Sequence, residues 1–241
     1  MGSAEIVRLH LRNGELLLAR EAANSCLDAA SEVEKGELYA LLSQAWFRLG
    51  QPKKAMEAAE RAAALTEHWE ARLALAAAMV GLGRPMVART MLFDTLQRER
   101  DGGSEARPEQ SLVRAEIDVG TALAEACRAA GDAESGIAIA TRAVVWAERY
   151  FGRQTPEAAK ALYGLGVCLH GAGKYAEAKQ AMNRVLQIRE QHAPETSDMA
   201  AVLDALGSIE RNLKEPFKAV ALHKKALALW LETVGQHASP V

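Results

Sequence analysis

Aromatic residues are scarce, at 5% of 241 positions, and so is cysteine, with three. Cys26, Cys127 and Cys168 lie far apart and form no CxxC pair. That spacing excludes a disulfide framework and fits a reducing compartment, so a cytoplasmic location is expected. Long apolar runs are missing too: the longest, Leu73–Leu82, is about half of what crosses a bilayer. The opening residues carry no leader-like core, because Arg8 and His10 interrupt Ile6–Leu11. Charge of one sign is not in excess. The chain has 29 basic and 31 acidic residues, with 14 and 15 in residues 1–107 and 15 and 16 in residues 108–241. Neither half is basic, so binding driven by phosphate neutralisation is not expected. No alternating β-branched run stands between turn signals, so no strand is expected.

What the chain does have is repetition. An apolar helical stripe ends in glycine, a short polar step follows, and a small residue stands five places after the glycine. The pairs are Gly14 with Ala19, Gly50 with Ala55, Gly83 with Ala88, Gly131 with Gly136 and Gly173 with Ala178, and Lys214 with Ala219 completes the series. The spacings are 36, 33, 48, 42 and 41 residues, the period of a helical solenoid. Each unit reads as two amphipathic helices joined by a tight turn. Glycine ends the first helix because it accepts the left-handed cap conformation. The small residue lets the second helix cross closely. Stripes such as Leu162, Leu165, Leu169 and Ala178, Met182, Val185, Leu186 have helical spacing. The prolines sit at unit edges, where a turn or a first helical turn accepts them.

Tyr39, Leu42, Ser43, Trp46, Gly50, Ala55, Ala59 and Ala62 fall at the signature positions of a tetratricopeptide repeat, which this stretch resembles. Leu165, Gly166, Leu169, Gly173, Tyr175, Ala178 and Val185 do the same more clearly. The last three units resemble the longer repeats of the kinesin light chain type. The resemblance implies an all-α chain: an α-solenoid, wound as a right-handed superhelix, of about six helix-turn-helix units. The expected organisation is a single array over 1–241, with shorter repeats over 1–100, a loop at 101–107 and longer repeats over 108–238. The array reads as truncated at both ends, with "GQHASPV" opening what looks like another unit. The face of the last helix (Ala226, Leu227, Trp230, Leu231) is then expected to be partly uncovered.

No constellation points to catalysis. "GLGVCLHG" has its third glycine misplaced for a dinucleotide loop and follows no strand, so Gly164 and Gly166 read as packing residues. "HGAGKY" lacks the first glycine and the hydroxyl of a phosphate loop. The six histidines show no metal-ligand spacing. Glu32 with Glu34 and Glu57 with Glu60 read as solvated faces, not as acid–base pairs. The expectation is therefore no enzyme, no cofactor and no metal.

In the solenoid that the resemblance implies, the first helix of each unit lines a concave groove. The residues expected to face it are Gln44, Phe47 and Arg48, then Leu73 and Val80, then Glu125 and Arg128, then Tyr163, Val167 and His170, then Asp204 and Arg211. Apolar anchors with a few arginines suit a protein interface. The Lys/Asn/Arg clamp of the chaperone-tail binders in this family is absent, since Ala40, Gln44, Ala74, Asp118 and Ala122 stand at its places. The paired asparagines of kinesin light chain repeats are replaced by Tyr163-Gly164 and Asp204-Ala205. The expected function is a non-catalytic scaffold or adaptor that binds a peptide or helix of a protein partner in that groove. The alternatives are self-association within a larger assembly, including a homodimer through exposed array ends, and a docking or regulatory part of a larger enzyme.

Overall fold

The computed structural model describes residues 2–101, 109–192 and 197–235. They form twelve α-helices, and no strand occurs among the described residues. The chain divides into two compact units, Met1–Ala106 and Arg107–Val241. Unit 1 holds the pairs α1 (Ser3–Asn13) and α2 (Leu16–Leu27), α3 (Glu32–Arg48) and α4 (Pro52–Leu65), and α5 (Trp69–Gly81) and α6 (Pro85–Asp101). Unit 2 holds α7 (Glu109–Ala129) and α8 (Ala133–Tyr150), α9 (Pro156–Gly171) and α10 (Tyr175–His192), and α11 (Ser197–Asn212) and α12 (Pro216–Gly235). Of the expected loop at 101–107, Asp101 closes α6 and the rest lies outside the described residues, as do 236–241.

The turn within each pair is the repeated device of the sequence. Gly14, Gly50, Gly83, Gly131 and Gly173 have φ between 70° and 88°, and Lys214 joins them at 66°. Around each of the six, two backbone bonds close the first helix: for Gly50, its own N–H donates to Phe47 O at 3.0 Å and Gln51 N–H donates to Trp46 O at 2.9 Å. That double bond is the Schellman cap, which satisfies carbonyls the helix end would leave open. Lys214 is the only non-glycine among the described residues with positive φ.

Helix starts are equally local. Ser31 and Glu34 form a capping box on α3, Asp132 caps α8 through Ser135 N–H, and Thr155 caps α9 through Ala158 N–H. Pro52, Pro85, Pro156 and Pro216 each occupy the first helical position, where no amide hydrogen is needed.

The small residues predicted at the crossings are buried: Ala19, Ala55, Ala88 and Ala178 are fully inaccessible. At Gly136 an added Cβ would stand 2.8 Å from the Ala124 carbonyl oxygen and 3.1 Å from Cys168 Sγ. Gly166 plays the same part against Met182, at 2.8 Å, which settles its packing role. Unit 1 includes an interior of Ala40, Ala59, Ala62, Ala71 and Ala74. Unit 2 is filled by larger side chains, among them Ile117, Met182, Val185, Ile188 and Ile209, each at most 1% exposed. Burying each such side chain contributes about 1.5–3 kcal/mol. Two buried carboxylates break the apolar rule, and Glu116 pairs with Arg142 at 3.3 Å. Glu210 accepts an ion pair from Lys179 at 2.7 Å through Oε1, while Oε2 has no hydrogen-bond partner.

Candidate functional site

The twelve residues expected at the groove divide between the units: five on α3 and α5 of unit 1, seven on α7, α9 and α11 of unit 2. Each set is described separately.

In unit 1, α3 packs beside both α1 and α5. Gln44, Leu73 and Val80 are half-buried. Phe47 is 39% exposed, and its ring lies against Gly81 of α5, where a Cβ would approach within 2.8 Å of Cε2. Arg48 donates to the Leu11 carbonyl at 2.7 Å. A cation at that position complements the C-terminal end of α1. Arg8 of α1 ties the same helices together, pairing with Glu37 of α3 and with Glu70 of α5.

In unit 2, α9 lies between α7 and α11. The close approach of α7 and α9 follows from two glycines. A Cβ on Gly164 would meet Thr121 Cγ2 at 2.7 Å, and one on Gly171 would meet Arg128 Cγ at 2.8 Å. Arg128 therefore lies across the end of α9. Its Nε and Nη2 grip both oxygens of Glu125, at 2.9 and 2.6 Å, and this pairing raises its pKa. Lys160 of α9 reaches Asp118 of α7 at 2.7 Å, a bridge between identical positions of successive repeats, 42 residues apart.

His170 joins α9 to α11. Asn212 Nδ2 donates to its Nε2 at 2.7 Å, so the imidazole proton sits on Nδ1. Burial lowers the His170 pKa first, and the charges of Arg128 and Arg211 lower it further. The ring is neutral near pH 7 and leans on Tyr175, with centroids 5.7 Å apart. Tyr163 is half-buried and carries the Arg189 guanidinium 5.6 Å over its ring. Burial raises the Tyr163 pKa, so its hydroxyl stays protonated. Val167 is half-buried one turn on. Asp204 is exposed and accepts from His223 of α12 at 2.8 Å. The Arg211 side chain is exposed and has no hydrogen-bond or ion-pair partner among the described residues.

So Arg128, Tyr163, His170 and Arg211 come together, while Asp204 turns toward the second helix of its own pair. Asn212 and Arg189 also belong to this surface. Asn212 was visible as the neighbour of Arg211. Arg189 was not, because it comes from α10 and no pattern in the first helices points to it.

Among the described residues no group of three metal-ligating side chains converges, and no helix is long and apolar enough to cross a membrane. His10 pairs with Glu15 at 2.6 Å and His223 with Asp204 at 2.8 Å, single contacts rather than ligand sets. Cys168 is fully inaccessible, and burial pushes its thiol up to about 12.

Comparison with known proteins agrees with this architecture. Tetratricopeptide repeat models match residues 114–191 and 199–240. No curated protein matches the sequence. Among solved structures, a Rap protein complexed with Competence and Sporulation Factor is similar at TM-score 0.70 and 15% identity; the match covers 95% of this chain and 64% of that one. BtubC (BKLC) from P. vanneervenii is similar at TM-score 0.59 and 18% identity, over 100% of this chain and 96% of that one. A putative kinesin light chain with nearly identical TPR-like repeats from Podosopora anserina is similar at TM-score 0.55 and 17% identity, over 85% and 98%. At such identities the likeness is one of fold. All six pairs close with the same left-handed cap, and residues 114–191 and 199–240 of unit 2 match tetratricopeptide repeat models, so unit 2 is built of tetratricopeptide repeats.

Proposed function

We propose that unit 2 binds a segment of a protein partner across the first helices α7, α9 and α11, and that the chain acts as a non-catalytic adaptor. The observation that carries this reading is Arg211. Arg128 is neutralised by Glu125, whereas the Arg211 side chain stands exposed near a neutral histidine with no partner among the described residues. An unpaired guanidinium near His170, on a surface whose α9 row also carries half-buried Tyr163 and Val167, suits a segment with an acidic side chain flanked by apolar ones. Repeat proteins use such rows of equivalent helices as extended binding surfaces. That the similar Rap structure is a complex with Competence and Sporulation Factor supports a binding use of the fold.

The test is selection of peptides from a random display library on wild type and on Arg211→Glu. Expected are wild-type binders enriched in Asp or Glu beside an apolar residue, lost on the variant. Binders that hold the variant as tightly as wild type would place recognition elsewhere.

A further inference from the structure

The repeat register accounts for two apolar faces left uncovered. Counted from the left-handed cap residue, Leu165 and Cys168 of α9 stand eight and five places before Gly173. Both pack back on the preceding pair, against Ala140 of α8 and Ala124 of α7. The same count before Gly14 lands on Ile6 and Leu9 of α1, which are 37% and 45% exposed.

The complementary face lies on α12. Val144 of α8 stands thirteen places after Gly131 and is buried at 9%, in one cluster with Leu162 of α9. Leu186 of α10, thirteen after Gly173, packs with Met199 and Leu203 of α11. The same count after Lys214 lands on Leu227 of α12, which is 58% exposed. Phe217, Val220 and Leu231 extend that stripe along α12 at 90%, 53% and 64% exposure. An apolar stripe of this length on one helix marks an interaction site.

We propose that a second copy of this chain covers it: α1 of one molecule seats on α12 of the next, as α9 seats on α8 and α11 on α10. The chain itself supplies both halves of a contact it already makes internally, in the same register and with apolar side chains at the positions that contact uses. The two surfaces differ, so the contact is heterologous, and it joins copies head to tail until the assembly closes on itself.

Sedimentation equilibrium over a micromolar to millimolar range tests this on the full chain, with Leu9→Glu and Leu227→Lys. Both sites are exposed, so helical circular dichroism should match wild type. Wild type is expected to climb to at least twice its 26.0 kDa, while each variant alone weakens association at least about tenfold. An equimolar mixture of the variants should reach two copies and stop, because each retains the face the other lacks. Wild type at 26.0 kDa throughout would overturn the proposal. So would a mixture that never pairs, or Leu9→Glu assembling like wild type, which would mean α12 meets α12.

Discussion

Replacing Lys214 with glycine should stabilise unit 2. Lys214 holds φ at 66° in a cap whose five counterparts are glycine. A side chain in that conformation crowds the following carbonyl and costs about 1–2 kcal/mol, which glycine does not incur. Two effects oppose the gain. Glycine loses more backbone freedom on folding, worth about 0.4–1 kcal/mol, and the lysine charge favours the C-terminal end of α11 by about 0.3 kcal/mol at an exposed site. The net expected gain is about 0.5 kcal/mol, or roughly 1–2 °C in Tm for a domain of this size. Lys214→Ala separates the causes, since alanine loses the charge and keeps the crowding. The order expected in thermal and urea denaturation is Gly above Lys above Ala, with glycine ahead of alanine by up to about 1 kcal/mol. If alanine equals or exceeds glycine, the cap conformation is not what limits this turn.

Three further outcomes are expected. Gly136→Ala should cost about 1–3 kcal/mol, since its Cβ meets a backbone oxygen at 2.8 Å, whereas Gly120→Ala, whose nearest neighbour is at 3.8 Å, should gain up to about 1 kcal/mol; urea melts decide both. Alkylation at pH 8 followed by peptide mass spectrometry should modify half-exposed Cys26 first, because a thiol near 12 leaves Cys168 only about one part in ten thousand ionised. The lowered His170 pKa means the unfolded chain takes up the proton more readily, so this group's stabilisation is present above the ordinary value of 6.5 and is lost as pH falls through its folded-state value. His170→Gln should remove that part of the acid loss in stability measured from pH 8 to 5; an unchanged pH profile would refute it.

Much of the fold was legible because glycine and alanine announce themselves. Gly14, Gly50, Gly83, Gly131 and Gly173 mark left-handed caps, and the spacing carried the same assignment to Lys214 with no glycine to signal it. The helix bounds follow from capping groups one or two residues long. The candidate surface was less legible, for a physical reason. Helical phase says which side chains share a face, but not which of them a neighbour engages. Arg48 and Arg211 look alike in the sequence, yet one caps α1 and the other stands free. Arg128 looks like a groove cation and is held by Glu125, three residues away.

The alanine interior of unit 1 has a consequence for how this protein tolerates change. Most cores fail by losing volume, because trimming a large side chain leaves a void. Ala40, Ala59, Ala62, Ala71 and Ala74 hold almost nothing to trim. There the hazard runs the other way: each added methyl must find room between helices that meet through alanine. Drift in this stretch is confined to serine and glycine on one side and blocked by valine on the other. The helix spacing is thereby set by the smallest side chain that can line it, like a joint cut to zero clearance.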